Sequence, residues 1–423
     1  MTYSPDRVTA PDPDSVEIDQ INLLADTWAQ RVPHAEFARL RRDRPVFWHS
    51  ENYPEGPDTG FWAVTKHQDI IDVSRDHATF SMELGSSFIK TQSEDNLMAM
   101  RLSILMMDPP RHDRVRKLIS AGFTPRQIRG LMEKIDHHAE ELVQSVAAKG
   151  QVEFVDEVSA MLPIQIICEM LGIPNKDWAQ MKIWSDRLVG FDDPDLQRTP
   201  EDGNIAAAEM FMYCDALVAE KREAPTDDIL STLVHAEVEG DRLDTAELNL
   251  FFVTLVIAGN ETTRNLISHG MLALLQHPDQ LAKLQANIDL IPSAVDEMLR
   301  WGSSIQNFRR TATKDTVIGG QQIKAGDKVV TFYLSGNFDE EVFGDPFNFR
   351  VDRTPNDHVT FGGGGIHFCL GSHLAKAEIG AVIREIVTQL PDIHLTEEPV
   401  RLRSDFINGV KSMPVAYTPV HPA

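Results

Sequence analysis

The chain contains, between residues 361 and 371, the stretch Phe361-Gly362-Gly363-Gly364-Gly365-Ile366-His367-Phe368-Cys369-Leu370-Gly371. This stretch places one cysteine, Cys369, after a run of glycines and just ahead of a helix that we predict from Leu374 to Leu390. The dipole and the free N–H groups of such a helix favour the thiolate form of the cysteine. The glycines let the backbone pass very close to something flat or bulky. A thiolate presented in this way can bind iron.

A phosphate-binding loop is the alternative use of such a glycine run. That use requires a lysine followed by Ser or Thr, which the stretch lacks, and it leaves Cys369 unexplained. The other two cysteines, Cys168 and Cys214, lie in an apolar stretch and in a helix-like run. We interpret both as core residues. The three cysteines are too few and too scattered for a disulfide framework, and no C-x-x-C spacing occurs.

Composition sets the broad class of the protein. The chain has 423 residues, of which 42% are hydrophobic, so a large core is available. No linker, low-complexity tract or repeat divides it. We therefore predict a loose N-terminal arm at residues 1–20 and one domain at residues 21–423, without a fused reductase.

Charge and hydropathy exclude several partners. The formal net charge is -24, which disfavours binding to nucleic acids and to anionic membranes because like charges repel. The sequence shows no signal peptide, and its most apolar run, Leu248–Ala258, is too short to span a bilayer. We therefore expect a cytoplasmic protein without a membrane span.

The periodicity of apolar residues predicts a mainly α fold with small peripheral sheets. Apolar segments at 46–48 and 61–64 predict a strand pair around a turn at residues 54–57. Residues 111–300 are overwhelmingly helical in pattern, and short strands return between 303 and 350. A final strand pair is predicted from Val400 to Met413.

One long helix stands out. Asp244 can cap it, with Glu247 as the capping-box partner, and Pro278 ends it after Gln276. Its middle reads Ala258-Gly259-Asn260-Glu261-Thr262-Thr263. Polar groups in the middle of a buried helix are costly unless they are used, and Gly259 removes bulk, so that a flat ligand could lie there. Thr262 can bond back to the Ala258 carbonyl or leave the helix open around a water. The alternative is a kinked core helix whose Glu261 reaches the surface.

Two further pairs have helical spacing. Glu297 and Arg300 are three residues apart and share one helix face; with Arg353 they could form a buried cluster that stabilises the fold, although such pairs also occur on surface helices. His112 and Arg116 are four residues apart. They form either a solvated basic helix end or a pair of cations that binds an anion.

Taken in their order along the chain, these motifs resemble those of the cytochrome P450 superfamily of haem-thiolate monooxygenases. The resemblance covers nearly the whole chain and implies a single multihelical haem domain that binds haem b. Cys369 would be the axial iron ligand, and Phe361 would shield the thiolate. Gly364, Gly365 and Gly371 would let the backbone approach the porphyrin and direct N–H groups at the sulfur.

The resemblance also assigns the remaining site residues. The two haem propionates would be neutralised by His112, Arg116, Arg310 and His367. In the long helix, Ala258 and Gly259 would make room above the haem. Glu261 and Thr262 would be catalytic and supply protons, through water, for dioxygen activation. Glu297, Arg300 and Arg353 would form the structural cluster.

The four-glycine stretch, together with Asn260, Asn265 and Phe406-Ile407-Asn408-Gly409, looks most like an actinobacterial subgroup that oxidises methyl-branched lipids and sterol side chains. Phe361 lies eight residues before Cys369, one more than in the commonest bacterial pattern, because of an additional glycine. Apolar residues in segments that line the pocket in relatives favour a small, hydrophobic, neutral or weakly polar substrate, such as a branched lipid, sterol or terpenoid. These residues are Phe88, Leu97, Met98, Leu255, Ile305, Phe308, Phe406 and Ile407. Each of them could equally be plain core.

The same resemblance implies the partners. Besides O2, the enzyme would use a separate ferredoxin and an NAD(P)H-dependent ferredoxin reductase, and we expect it to be a monomer. Since ferredoxins are usually acidic, docking would need a local basic patch, for which the candidates are Arg114, Lys117, Arg126, Arg129 and Lys376. The rival function is a haem-binding sensor or electron carrier, which would not need Glu261 and Thr262.

Overall fold

The computed structural model describes residues 7–50, 60–120, 123, 125–189, 193, 195–196, 199–238 and 240–420. Its helices are α1 (Ala25–Gln30), α2 (His34–Asp43), α3 (His67–Arg75), α4 (Glu94–Met100), α5 (Arg111–Ser120), α6 (Pro125–Ala147), α7 (Met161–Leu171), α8 (Trp178–Val189), α9 (Pro200–Glu223), α10 (Ile229–His235), α11 (Thr245–Gln276), α12 (Pro278–Ala286), α13 (Ile291–Gly302), α14 (Tyr333–Asn337) and α15 (Ser372–Gln389). A π-helical turn, Val155–Ser159, precedes α7. The predicted mainly α fold is thereby confirmed.

The strands are short and form separate small sheets. They are β1 (Val46–His49), β2 (Phe61–Val64), β3 (Phe80–Ser81), β4 (Gln151–Glu153), β5 (Asn307–Ala312), β6 (Thr316–Ile318), β7 (Gln321–Ile323), β8 (Lys328–Phe332), β9 (His394–Leu395), β10 (Val400–Arg401), β11 (Val410–Ser412) and β12 (Pro414–Ala416). One sheet has the order β1-β2-β8-β5-β3, another β4-β12-β9, and β6-β7 and β10-β11 form pairs. Only the β2–β8 pairing among these is parallel. The turn expected at residues 54–57 lies outside the described residues.

Helix α11 is the longest element and is buried along most of its length. It begins as predicted, because the Asp244 carboxylate accepts the Glu247 N–H at 2.8 Å and the Glu247 carboxylate accepts the Asp244 N–H at 3.0 Å. Helices α7, α8, α9, α13 and α15 pack around it, and α15 also packs against α6. The sequence motifs of the middle of α11 are therefore held at the centre of the molecule.

The N-terminal segment differs from the prediction of a loose arm. Asp14 accepts hydrogen bonds from Arg39 and Arg42 of α2 at 2.7 and 2.6 Å, and Arg7 pairs with Asp279 of α12 at 2.8 Å. Val8, Val16 and Ile18 pack against the main core. The prediction missed this because the partners are far away along the chain. Residues 1–6 lie outside the described residues.

Candidate active site

The glycine-rich stretch forms a tight loop in front of α15. Gly362, Gly363, Gly364 and Gly365 all have positive φ angles, between 64° and 102°, a conformation that L side chains adopt at a cost. A Cβ at Gly365 would lie 2.5 Å from the Ser74 carbonyl oxygen of α3. The glycines therefore let this loop pack closely against the end of α3, in addition to any role toward a ligand.

The two ends of the loop, Phe361 and Cys369, lie next to each other. The Cys369 N–H donates to the Phe361 carbonyl oxygen at 3.2 Å, so the additional glycine does not separate these residues. The Phe361 ring lies 5.7 Å from the ring of His358, and Lys376 lies 5.9 Å from its centroid. Phe361 is thus held beside the loop by residues on both sides of it in the sequence.

Cys369 lies deep in the protein, yet its side chain remains exposed. Burial raises the pKa of its thiol, while the Gly371 N–H and the Arg116 guanidinium lower it; the net shift is upward. The Gly371 N–H at the start of the helix thus favours the thiolate, as expected, but desolvation outweighs it. Coordination to a metal ion would itself deprotonate the thiol.

Cationic groups gather near Cys369. The buried Arg310 guanidinium has no hydrogen-bond partner at Nε and Nη1, and His367 has none at Nε2. The His112 and His367 rings lie 4.8 Å apart, and Arg116 Nη2 donates to the Phe368 carbonyl oxygen at 3.4 Å. Burial lowers the pKa of Arg116, and it lowers the pKa of His367 to about 3.

This arrangement fits a haem. A buried guanidinium with unsatisfied donors is costly, and a propionate could accept hydrogen bonds from Nε and Nη1 of Arg310. Cys369 is exposed and offers an accessible sulfur. Among the described residues, no group of three or more His, Cys, Asp and Glu side chains could hold a metal ion.

The middle of α11 presents one accessible face. Ala258 is exposed and Thr262 half-buried in an otherwise buried helix, and Thr262 Oγ1 donates to the Ala258 carbonyl at 2.6 Å. Of the two arrangements considered for Thr262, the structure shows the back-bonded one. A Cβ at Gly259 would lie 2.4 Å from Ile167 Cδ1 of α7. The glycine therefore also permits close packing of α11 against α7.

Glu261 is buried and does not reach the surface. Its carboxylate pairs with Arg264 at 2.7 Å, and Arg264 pairs with Asp186 of α8 at 2.9 Å. Lys182 contacts Asp186 at 3.0 Å and the exposed Asp156 at 3.4 Å. Burial raises the pKa of Glu261 to about 7, with Arg264 opposing the shift. A chain of charged groups thus leads from Glu261 to the surface.

Glu297, Arg300 and Arg353 come together as a buried cluster. Glu297 receives two hydrogen bonds from Arg300, both at 2.8 Å, and one from Arg353 at 2.9 Å. Arg300 also donates to the Asn337 carbonyl at 2.8 Å. Since a buried carboxylate needs such partners, the cluster fixes the loop around residue 350 against α13, as the sequence suggested.

Aromatic residues expected at the pocket lie together. The Phe406 ring is 4.7 Å from Phe88 and 5.4 Å from Phe308, and Ile305 pairs with Ile407 through an isolated β-bridge. These five residues come from three segments that are distant in sequence, at residue 88, at 305–308 and at 406–407.

The other three pocket candidates lie on two helices. Leu255 is half-buried on α11, one turn before Ala258. Leu97 is buried on α4, whereas Met98 beside it is 59% exposed.

The proposed docking cations are partly engaged within the chain. Arg114 pairs with Asp241 and with Glu247 at 2.6 Å, and Lys376 pairs with Asp296 at 2.7 Å. Arg129 is exposed on α6. The Arg126 side chain lies outside the described part of the chain.

Sequence reasoning missed several buried polar residues. Glu378 on α15 is fully buried, its Oε2 has no hydrogen-bond partner, and burial raises its pKa to about 8. Asn260 is fully buried, and its amide donates to Ser185 of α8 at 3.0 Å. The only signal for either was a polar residue within a strongly apolar helix pattern.

Comparison with known proteins identifies the relatives of this chain. A family model described as Cytochrome P450 matches residues 60–294 and 286–390. A steroid C26-monooxygenase of Rhodococcus jostii is 40% identical over 397 residues, which make up 93% of this chain and 83% of that protein. A methyl-branched lipid omega-hydroxylase of Mycobacterium tuberculosis is 41% identical over 421 residues, or 97% of this chain and 98% of that protein.

A solved structure agrees with this. A Mycobacterium marinum cytochrome P450 in complex with pseudoionone superposes with a TM-score of 0.87 at 41% identity, and the match covers 95% of this chain and 99% of that one. In the described residues, no helix has the length and apolar character needed to cross a bilayer.

Proposed function

This chain belongs to the cytochrome P450 family and is a P450 monooxygenase, and from that premise we propose that it hydroxylates a methyl-branched lipid, a sterol side chain or a terpenoid. Its similarity to proteins named as a steroid C26-monooxygenase and a methyl-branched lipid omega-hydroxylase supports this substrate class. The apolar cluster of Phe88, Phe308 and Phe406 supports it as well, because it offers a wall without charged groups.

One observation carries the assignment of the cofactor site. The accessible Cys369 lies just before α15 with the Arg116 guanidinium acting on its thiol, and the buried Arg310 has no hydrogen-bond partner at Nε and Nη1. We propose that Cys369 is the axial ligand of haem b and that Arg310, His112, Arg116 and His367 bind its propionates. When bound, this group supplies the activation of O2 with two electrons and two protons.

The side chains of α11 then have defined tasks. Thr262 Oγ1 donates to the Ala258 carbonyl, so its oxygen can accept a further hydrogen bond on the accessible face. Glu261 can hold or release a proton near neutral pH, since its pKa is raised to about 7. Arg264, Asp186, Lys182 and Asp156 connect its carboxyl to the surface, where protons are replaced.

Substrate and electrons come from outside the chain. We propose that the aromatic cluster orients the substrate and excludes water from it. Electrons would come from a separate ferredoxin, which an NAD(P)H-dependent reductase reduces. The ferredoxin would dock on a basic patch of this chain that includes Arg129.

The optical spectrum of the reduced protein with carbon monoxide tests the cofactor site. We expect the strongly red-shifted band of thiolate ligation, and we expect Cys369→Ser to lose it while Cys168→Ser keeps it. A histidine-type band in the unaltered protein would reject the assignment. Screening branched fatty acids, sterols and terpenoids for type-I spectral shifts then tests the substrate class.

A further inference from the structure

We propose that Asn260 is a positioning residue that uses its side-chain amide to orient the Glu261 carboxyl and to tie it to α8. This inference rests on the proposed function, in which Glu261 moves a proton. Asn260 and Ser185 are both fully buried, and Asn260 Nδ2 donates to Ser185 Oγ at 3.0 Å. The same Nδ2 lies 3.5 Å from Glu261 Oε1, a long hydrogen bond.

The two oxygens of Glu261 have different partners. Oε2 forms the ion pair with Arg264, whereas Oε1 lies against the Asn260 amide. Since Arg264 is bound to Asp186, and Ser185 precedes Asp186, both contacts attach Glu261 to the same turn of α8. Asp186 also shares a hydrogen bond with the Glu261 carboxyl, and the Asn260 amide is the neutral donor that faces Oε1, the oxygen outside the ion pair.

The chemistry of Asn260 is hard to explain by packing alone. Its Oδ1 is buried and has no hydrogen-bond partner, which destabilises the folded state. An apolar residue of similar size would avoid that loss. A side chain that only filled space between α11 and α8 would thus not need an amide.

The charged groups around Glu261 set the direction of the effect. Arg264 lies on α11, Asp186 and Lys182 lie on α8, and Asp156 lies on the π-helical turn. Arg264 and Lys182 favour the Glu261 carboxylate, and Asp186 disfavours it. A donor at Oε1 also favours the carboxylate, so its removal should raise the Glu261 pKa further.

A titration separates a positioning role from a structural one. The readout is the infrared C=O band of protonated Glu261 in the purified protein, assigned by its loss in Glu261→Gln. In Asn260→Ala we expect its midpoint, and the alkaline limb of the turnover profile, to move upward by about half a pH unit or more. Asn260→Leu, which keeps the branched shape but has no amide, should do the same if the alanine variant folds poorly.

Ser185→Ala is the matched control. It removes the link to α8 but leaves the Asn260 amide beside Glu261. Because the Asn260 amide then loses only its anchor on α8, we expect the midpoint to move by clearly less than in the Asn260 variants. Unchanged midpoints in both Asn260 variants, or an equal shift in Ser185→Ala, would overturn the proposal. Neither outcome would affect the carbon monoxide band, so the proposed function would stand independently.

Discussion

The Thr262 hydroxyl lies on the accessible face of α11, where its Oγ1 donates a hydrogen bond to the Ala258 carbonyl oxygen at 2.6 Å. Its oxygen can therefore still accept a hydrogen bond from a water that carries protons. In Thr262→Ala this acceptor is lost. We therefore expect the amount of peroxide formed per NAD(P)H consumed to rise several-fold and the amount of product to fall. The measurement is the ratio of product to NAD(P)H consumed, with peroxide determined in parallel.

Thr262→Ser is the control, because it keeps the hydroxyl and removes only the methyl group. It should remain close to the unaltered protein in this ratio. Full coupling in Thr262→Ala would exclude Thr262 from the proton path.

Glu378 gives a prediction about stability. Burial alone raises its pKa from 4.5 to about 8. The folded protein thus keeps a proton that the unfolded chain has already released, and this residue's contribution to stability falls as pH rises from about 4.5 to about 8. Glu378→Gln has no carboxyl group at this position and does not lose stability in this way. The difference in unfolding free energy between Glu378→Gln and the unaltered protein should therefore grow in favour of the variant as pH rises across that window. The increase should amount to a few kcal/mol, at ~1.4 kcal/mol per pH unit.

Urea unfolding at pH 6, 7 and 8.5 measures this difference. Glu385→Gln on the same helix is the control, because Glu385 is only partly buried and its carboxylate accepts a hydrogen bond from Gln389. A constant difference between Glu378→Gln and the unaltered protein at all three pH values would contradict the prediction.

At the scale of elements, Gly259 determines how closely α11 and α7 approach. A Cβ at this position would lie 2.4 Å from Ile167 Cδ1 and 3.0 Å from its Cγ1. We expect Gly259→Ala to destabilise the protein by about 1–3 kcal/mol through overpacking, although alanine has the higher helix propensity. Thermal or urea unfolding of the variant measures this.

The double variant with Ile167→Ala tests the cause. Removing the Ile167 side chain creates room, so the alanine at 259 should then be neutral or stabilising. The two substitutions should therefore be strongly non-additive. Additive effects would show that Ile167 is not what excludes a side chain at this position.

Helix α11 also shows what the sequence could predict. Its start followed from Asp244 and Glu247, and its end from Pro278, because capping is a local interaction. The use of Gly259 and the burial of Glu261 could not be predicted, since they depend on Ile167 and Asp186, which are distant in sequence. The cluster of Glu297, Arg300 and Arg353 was considered from the spacing of the charges, with a surface pair as the alternative, and the family pattern favoured the cluster.

For the whole molecule, the net charge and a local basic patch would have opposite effects on the association with an acidic ferredoxin. The net charge is -24, which would repel an acidic ferredoxin at long range. Arg114, an expected docking residue, is held by Asp241 and Glu247, a pairing that the sequence could not show because Asp241 is 127 residues away. Charge reversal there would break internal ion pairs and would not test docking.

Arg129 on α6 is the better test, because it is exposed and its helix packs against α15, which follows Cys369. In Arg129→Glu we expect reduction by ferredoxin to slow several-fold at low salt, with unchanged substrate affinity by spectral titration. The difference should shrink as salt shortens the Debye length from ~10 Å at 0.1 M to ~3 Å at 1 M. Lys176→Glu makes the same charge change before α8 and should leave a much smaller effect. Equal slowing in both variants would mean that net charge, rather than a local patch, governs the encounter.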